Sequence, residues 1–347
     1  MTPARTKNIH HPPYFTLQWH LTEKCNWRCR HCYHEARDKQ ELPFSDCLKI
    51  FRQYLDLLAY LKMPPGRTRL SLTGGEPLVR NDFFKLLEAM YPYNRRFLLS
   101  LFSNGSLIDK ENVKRLKKTG VRSIQFSLEG MEENNDRIRG KGAFQLTENA
   151  LQAAIGQGIN TVVSVTMTKD NLGDMPSLIE YCAKMKVNSL GFRRLVPIGR
   201  GKAISQKVLS PEELKGAYFY IELKKRELSK KKDKLIVSRG CEEGVFSRET
   251  GQETESCALL DKRVLVVMPD ADVLACRRLP LKLGNALKNS LTAIYTGSAV
   301  LSKLMDRGRI ASLCKNCKVF NLCSGGAKCM SYAFSKSTFA PDPQCWS

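Results

Sequence analysis

The chain has 347 residues and 13 cysteines, and its 56 Lys+Arg against 34 Asp+Glu give a formal net charge of +22. A hydrophobic fraction of 42% with 15 prolines and 23 glycines excludes a disordered or collagen-like chain, and the length excludes a small disulfide scaffold. The apolar runs are far shorter than the roughly 18 residues of a membrane span, and the polar start lacks the apolar middle of a secretory signal. We therefore expect a cytoplasmic protein whose cysteines are metal ligands or catalysts, with no membrane partner.

Strands alternate with helices over the first two thirds of the sequence. The predicted strands cover 14–22, 69–73, 97–102, 123–128, 161–167 and 190–196, and the predicted helices cover 44–61, 82–90, 109–118, 144–155, 175–185 and 211–232. This alternation predicts a parallel sheet, either doubly wound or an incomplete barrel. In both architectures the chemistry lies at the carboxyl ends of the strands. Four unusual residues each follow such an end, namely Cys25, Gly74, Asn104 and Glu129.

The composition changes near residue 235. Helical periodicity fades, short strands such as 263–268 replace long helices, and eight of the 13 cysteines follow. We therefore predict an N-terminal tail over 1–13, a first domain over 14–235 and a small cysteine-rich domain over 236–347.

Three cysteines follow the first predicted strand. Cys25, Cys29 and Cys32 have the spacing C-x3-C-x2-C, which can hold three irons of a 4Fe–4S cluster and leave the fourth iron open. A zinc ion is the alternative ligand of these three cysteines. A zinc site usually takes four protein ligands, so a fourth residue would be needed. The fourth zinc ligand would come from a neighbouring side chain, with His31, His34 and Cys47 as the candidates.

The sequence Thr73-Gly-Gly-Glu-Pro77 follows the second strand. Two glycines let a ligand approach the backbone closely, and a carboxylate can hold an ammonium group. Together with the cysteine loop, this motif resembles the radical S-adenosylmethionine (SAM) superfamily over roughly residues 14–200. The resemblance implies an α/β fold, a partial (β/α)6 TIM-like barrel, in which a reduced cluster cleaves SAM and the resulting 5′-deoxyadenosyl radical abstracts hydrogen from a substrate.

The resemblance also implies roles for individual residues. Cys25, Cys29 and Cys32 would bind the cluster, and His31 would pack near adenine. The methionine ammonium would meet Gly74, Gly75 and Glu76. The remaining implied contacts to SAM come from later strand ends: Asn104, Ser127, Glu129, Arg139 and Leu195.

The segment Ser127-Leu-Glu-Gly130 followed by Asp136-Arg-Ile-Arg-Gly140 carries two of these roles. In the family the serine contacts ribose and the arginine contacts the methionine carboxylate. This chain departs from the pattern at Glu129, where the family has Asp, and at Asn135, where it has His.

The C-terminal cysteines resemble the SPASM extension of radical SAM enzymes, over roughly residues 240–347. That resemblance implies two auxiliary 4Fe–4S clusters and therefore three clusters in total. The first auxiliary cluster would use Cys257, Cys276 and Cys329, completed by Cys241 or left with an open iron. Cys241, if it is no ligand, is also a candidate hydrogen-atom donor. The second auxiliary cluster would use Cys314, Cys317, Cys323 and Cys345, although five residues separate Cys323 from Cys329 where three are usual.

Enzymes with this layout often modify ribosomally made peptides or proteins, and we expect such a maturation reaction (crosslink, epimerisation or oxidation), with modification of tetrapyrrole side chains as the alternative. RNA modification is a further alternative, but no RNA-binding module accompanies the basic charge, so nucleic acid is not expected as a partner. A simple Fe–S electron carrier would leave Gly74, Gly75 and Ser127 without a role. The positive charge predicts an acidic peptide or another anionic substrate. Flavodoxin or ferredoxin would supply electrons, and a separate protein would bind any leader peptide.

Overall fold

A computed structural model describes residues 13–35, 40–239 and 257–346. These residues contain one ten-stranded sheet, in the order β10-β9-β8-β1-β2-β3-β4-β5-β6-β7. Its strands are β1 Phe15–His20, β2 Thr68–Thr73, β3 Leu98–Ser103, β4 Val121–Ser127, β5 Asn160–Met167, β6 Ser189–Arg194, β7 Ile236–Ser238, β8 Val264–Val267, β9 Asp272–Cys276 and β10 Leu279–Asn285.

The α-helices of the described residues fall into two groups. Seven belong to the strand–helix units, namely α1 Phe44–Tyr60, α2 Phe83–Met90, α3 Lys110–Lys118, α4 Glu132–Arg139, α5 Ala143–Gly156, α6 Met175–Lys184 and α7 Pro211–Lys230. Five short ones follow β10, namely α8 Leu291–Gly297, α9 Ala299–Met305, α10 Ser312–Lys315, α11 Phe320–Cys323 and α12 Lys328–Ser335. None of the helices in the described ranges is long and apolar enough to cross a membrane.

The first six strands pair in parallel and in chain order, which confirms the predicted α/β fold. The sheet stays open, with β7 at one edge and β10 at the other. Beyond β1, β8 adds in parallel, and β9 and β10 add antiparallel. The cysteine-rich segment thus extends the same sheet, and β7 begins one residue past the proposed boundary at 235. The division into domains stays a prediction.

Strand periodicity separates an apolar outer layer from a polar lumen. In β1, Leu17 and Trp19 are buried in the main core, which also contains Phe51 of α1. The alternate residues Thr16 and Gln18 line a cavity inside the curved sheet. Successive side chains point to opposite faces of a strand, so the same residues that build the core place polar groups in the lumen.

Side-chain caps mark the starts of two of the longer helices. Ser210 and Glu213 form a capping box at the start of α7, and Asp109 caps α3. Helix α4 was not predicted, because Ile138 is the only apolar residue in its sequence EENNDRIR and no apolar stripe marks it.

Candidate active site at the strand ends

The loop after β1 brings three thiols to one cavity. Cys25, Cys29 and Cys32 all line a space of about 170 Å³ at the carboxyl ends of the strands, which we call the strand-end cavity. Burial raises the pKa of the Cys29 thiol, and the positive charge of Arg139 opposes that rise. Arg139 Nη1 donates a hydrogen bond to Cys29 Sγ at 3.8 Å. The loop thus offers three thiols, one of them beside a cation that favours the thiolate, as a three-cysteine cluster requires.

Backbone contacts from the segments that follow β2 and β6 hold this loop. The Gly75 N–H donates to the Thr22 carbonyl at 2.8 Å, and the Gly201 N–H, beyond β6, donates to the Cys32 carbonyl at 3.1 Å. A Cβ at Gly75 would lie 2.2 Å from the Lys24 carbonyl oxygen. Glycine is therefore required at position 75 by the close packing of two backbones, in addition to any approach by a ligand.

Glu76 is fully buried behind the cavity wall. Ser103 Oγ donates to both of its carboxylate oxygens at 3.0 Å, and the Asn104 N–H donates to one of them at 2.8 Å. The wall itself is lined by Gly74 and Gly75 and not by Glu76. The carboxylate therefore ties the turn after β2 to the turn after β3, and its contact with a ligand ammonium stays a prediction.

The buried Glu76 makes stability depend on pH. Burial raises the pKa of Glu76 to about 7, against the opposing hydrogen bonds from Asn104, Ser103 and Leu78. An acid whose pKa is raised on folding stabilises the fold below its unfolded pKa and loses that contribution as the pH rises through the folded value. We expect wild-type unfolding temperatures to fall between about pH 4.5 and about pH 7 relative to those of Glu76→Gln. Anaerobic thermal unfolding of both proteins would check this, and parallel pH profiles would contradict it.

Glu129 is the centre of a second buried network. Its Oε1 accepts hydrogen bonds from the Arg139 guanidinium and lies 3.1 Å from His31 Nε2, and its Oε2 accepts from the Thr166 N–H at 2.6 Å. Burial alone would raise the pKa of Glu129, but the charges of His31 and Arg139 and these hydrogen bonds lower it to about 2. Glu129, which is longer than the Asp of the family pattern, thus contacts His31, the residue before Cys32 in the sequence. It also contacts Arg139, which donates to Cys29.

The other predicted SAM contacts also surround the strand-end cavity. Asn104, Ser127, Leu195, His31, Glu129 and Arg139 all line it. Asn104 Nδ2 donates to Asn26 Oδ1 at 2.9 Å and lies 3.9 Å from Cys25 Sγ. Asn135 does not line the cavity; its side-chain oxygen accepts from the Glu129 N–H at 3.0 Å and fixes the turn after β4.

The candidate fourth ligands of a zinc site differ in position: His31 and His34 line the strand-end cavity and Cys47 does not. Cys47 is buried in the main core, and its Sγ donates to the Leu42 carbonyl at 3.8 Å. His34 lines the cavity, but its Nδ1 lies 3.7 Å from Glu23 Oε1. In the described ranges, no group of three His, Cys, Asp or Glu side chains could hold a single metal ion.

A second, larger cavity of about 600 Å³ lies in the lumen, and we call it the lumen cavity. It adjoins the strand-end cavity, since the two share the lining residues Phe102, Gln125, Arg193, Arg277 and Arg278. A molecule in the lumen would therefore lie next to one bound at the strand ends.

Three C-terminal cysteines line this lumen cavity. They are Cys257, Cys276 and Cys329, the three that the sequence assigns to one auxiliary set. Cys241 lies outside the described residues, so its role stays a prediction.

The cysteines predicted to bind the second auxiliary cluster also lie near one another. The pKa of Cys314 is raised by burial and, to a smaller extent, by the neighbouring Cys345 and Cys317. Burial raises the pKa of Cys323 to about 11, and Cys345 is among the charges that act on it. The four cysteines of this predicted set are thus close enough to influence one another's ionisation.

The lumen lining is strongly basic, which sequence analysis missed. Among its described residues no Asp or Glu occurs, whereas seven are cationic: Arg67, Arg69, Arg193, Arg263, Arg277, Arg278 and Lys328. Part of the signal was present in the sequence, because Arg69 alternates with the core residue Leu70 and two arginines directly follow Cys276. Net charge alone could not say that these groups converge.

The family comparisons agree with this architecture. The radical SAM superfamily model matches residues 19–182, and the SPASM model, described as an iron–sulfur cluster-binding domain, matches residues 257–318. Such domains imply 4Fe–4S clusters and SAM.

Curated relatives fall into two groups by name. An Fe-coproporphyrin III synthase of Methanosarcina barkeri is 26% identical over 94% of this chain and 86% of its own length. An AdoMet-dependent heme synthase of Nitratidesulfovibrio vulgaris is 25% identical over 95% of this chain and 91% of its own. The Mycofactocin maturase MftC of Mycolicibacterium smegmatis is 25% identical over 95% of this chain and 82% of its own.

Solved structures share the fold at lower identity. Streptococcus suis SuiB bound to precursor peptide SuiA superposes with a TM-score of 0.75 at 18% identity, covering 97% of this chain and 77% of SuiB. The enzyme anSMEcpe with bound AdoMet and Cp18Cys peptide has a TM-score of 0.76 at 20% identity, covering 96% of this chain and 94% of that one. These similarities show the fold.

Proposed function

Because the chain is an enzyme of the radical SAM superfamily with a SPASM domain, we propose that it abstracts hydrogen from an anionic substrate held in the lumen cavity. The observation that carries this proposal is the shared wall of the two cavities. SAM at the strand ends and a substrate in the lumen would meet at Phe102, Gln125 and Arg193. Reacting groups must be held in contact and away from water for such chemistry.

The residues around the strand-end cavity fit SAM and a three-cysteine cluster. Cys25, Cys29 and Cys32 would hold the cluster, and Gly74 and Gly75 would offer backbone to the methionine end. When bound, the cluster and SAM supply an electron and the hydrogen-abstracting radical. The protein orients the two and encloses them.

We assign two auxiliary clusters to the C-terminal cysteines, which makes three clusters in total. Their two sets come close to Lys328, which is 1% exposed and donates to the Ser324 carbonyl at 2.6 Å. Burial lowers the pKa of Lys328, while Cys257, Cys323 and Cys314, from both sets, act in the opposite direction. A buried cation between two anionic clusters would offset part of their repulsion. An external donor such as flavodoxin or ferredoxin would supply the electrons.

The first candidate substrate is a tetrapyrrole of the haem pathway. A porphyrin with propionate side chains is a compact polyanion. The lumen cavity of about 600 Å³, which the substrate would share with the first auxiliary cluster, lies within the usual range for small-molecule sites. The described lining carries seven cationic side chains and no Asp or Glu, an arrangement that suits carboxylates. The haem-pathway names of two relatives with coverage of nearly the whole chain support this candidate.

A peptide is the second candidate. It is favoured by the relative named as a maturase and by the peptide-bound neighbours that share the fold. The basic lumen would then select an acidic peptide, presented directly or by a separate leader-binding protein.

Assays of SAM cleavage with alternative substrates would test this proposal. The reconstituted protein would be given SAM, dithionite and either iron-coproporphyrin III, an acidic peptide or bulk tRNA. We expect the porphyrin to raise 5′-deoxyadenosine formation and to change in mass with matching stoichiometry. A response to the peptide alone would reverse the order of the two candidates. Nanomolar binding of tRNA at physiological salt, or cleavage that no substrate stimulates, would overturn the proposal.

A further inference from the structure

We propose that Arg69 and Arg277 are carboxylate-binding residues at two depths of the lumen cavity, so that the enzyme selects a substrate with at least two separated carboxylates. This inference rests on the proposed function of the lumen cavity as the substrate site. It goes further by assigning specificity to two side chains.

Arg277 stands where the two cavities meet. With Arg278 it forms the two-residue turn between Cys276 of β9 and Leu279 of β10. Its side chain lines both cavities, and its Nη1 donates to Gln18 Oε1 at 3.0 Å. No described carboxylate pairs with it. The neutral Gln18 orients the guanidinium and leaves its charge for a ligand.

Arg69 lies deeper along the lumen, near the start of β2. It is on the lumen side of the strand and lines the lumen cavity, and its side chain is exposed. The Arg69 side chain makes no hydrogen bond or ion pair with any described residue. An exposed guanidinium on the lumen side of the strand keeps its hydrogen-bond donors available to an incoming anion.

Other basic residues of the lining are already engaged. Arg263 forms an ion pair with Asp261 at 3.2 Å, and Lys328 is buried near cysteines of both auxiliary sets and donates to the Ser324 carbonyl at 2.6 Å. These contacts make Arg69 and Arg277 the stronger candidates for direct binding.

The strand register sets the spacing of the two positions. Gln18, the partner of Arg277, is opposite Ser71 in the β1–β2 pairing. Ser71 is two residues beyond Arg69, and Thr73, on the wall of the strand-end cavity, is two residues further. At about 3.3 Å per residue, the two binding levels are roughly 7 Å apart along the strand, and Arg69 is roughly 13 Å from the strand-end cavity. A carboxylate held by Arg69 would thus anchor the far end of the substrate while Arg277 holds one close to the reacting carbon.

The chemistry favours a small polycarboxylate over a polymer. A guanidinium binds carboxylate through two parallel hydrogen bonds, and a cavity of about 600 Å³ suits a compact ligand.

Binding to the cluster-loaded, full-length protein would test the assignment. Coproporphyrin III, with four carboxylates, would be titrated against wild type, Arg69→Gln and Arg277→Gln, with its neutral tetramethyl ester as the paired probe. We expect each variant to bind the acid about tenfold more weakly, because each loses one charge-assisted contact, and to bind the ester as wild type does. Arg69→Lys should recover part of the affinity. Arg52→Gln, at an exposed position of α1 away from both cavities, should match wild type.

The outcomes separate this inference from the proposed function. If wild type converts the porphyrin while both glutamine variants bind it normally, the inference fails and the function stands. If wild type ignores the porphyrin but binds a glutamate-rich peptide that both variants bind more weakly, the inference stands and the tetrapyrrole candidate fails. If wild type binds neither anion, the inference is overturned.

Discussion

Replacing Cys29 with alanine is expected to abolish the reductive cleavage of SAM. Cys29 is the buried member of the three thiols around the strand-end cavity and receives a hydrogen bond from Arg139. Replacing a residue that only hydrogen-bonds to a metal ligand lowers metal affinity or activity by about 10- to 100-fold. Loss of a ligand should therefore reduce 5′-deoxyadenosine formation by more than about 100-fold. Chromatography with mass detection on the anaerobically reconstituted protein would measure it.

Iron content provides a second readout of the same variant. Three 4Fe–4S clusters correspond to about 12 irons per chain, so loss of one cluster leaves about eight. Cys182→Ala is the matched control, because Cys182 is buried in α6, lines neither cavity and has a pKa raised to about 12 by burial. Its cleavage rate and iron content should stay close to those of wild type. Cleavage by Cys29→Ala at the wild-type rate would contradict the assignment of the strand-end cavity.

Glu129→Gln is expected to produce the second large effect. The change keeps the shape of the side chain but removes the negative charge that pairs with the buried Arg139 and with His31. Leaving one partner of a buried ion pair uncompensated costs about 3–5 kcal/mol. We expect the variant to be destabilised by this amount and to bind SAM more weakly, since both residues line its proposed site. Thermal unfolding and equilibrium binding of SAM would measure the two effects.

Two further comparisons would show that the unpaired charge is the cause. Glu133→Gln, on the same helix as Arg139, removes an exposed partner of Arg137 and should cost less than about 1 kcal/mol. The pKa of Glu129 is lowered to about 2, so its contribution is present above the unfolded pKa and is lost only as the pH falls towards the folded one. The deficit of Glu129→Gln should therefore persist from about pH 6 to about pH 9, because Arg139 stays charged throughout that range. A deficit that vanishes within that range would argue against the ion pair.

Local sequence patterns determined the strand–helix frame and the position of the chemistry within it. Six alternating units pair in parallel as predicted, because strand and helix periodicities are properties of short segments. The cysteine loop and the two glycines then had to lie together, since the carboxyl ends of parallel strands share one edge. The cap at Ser210 was equally local.

Tertiary structure decided where the polar side chains converge. Glu129 meets Arg139 ten residues later and Thr166 on the next strand, and Glu76 turns away from the cavity towards Ser103. Such contacts depend on turn geometry and strand register, which sequence spacing does not encode. The same holds for β8, which joins β1 across more than two hundred residues of chain.

The basic lumen shows most clearly which features follow from residue identity and which depend on the fold. The sequence by itself determined an excess of positive charge and the family chemistry of its cysteines, because both follow from residue identity. The pairing of distant strands places Arg69 and Arg277 on one cavity beside the strand-end cavity. The physical reason is that charge is a sum over the chain, whereas a binding site requires those charges to be gathered by long-range strand pairing.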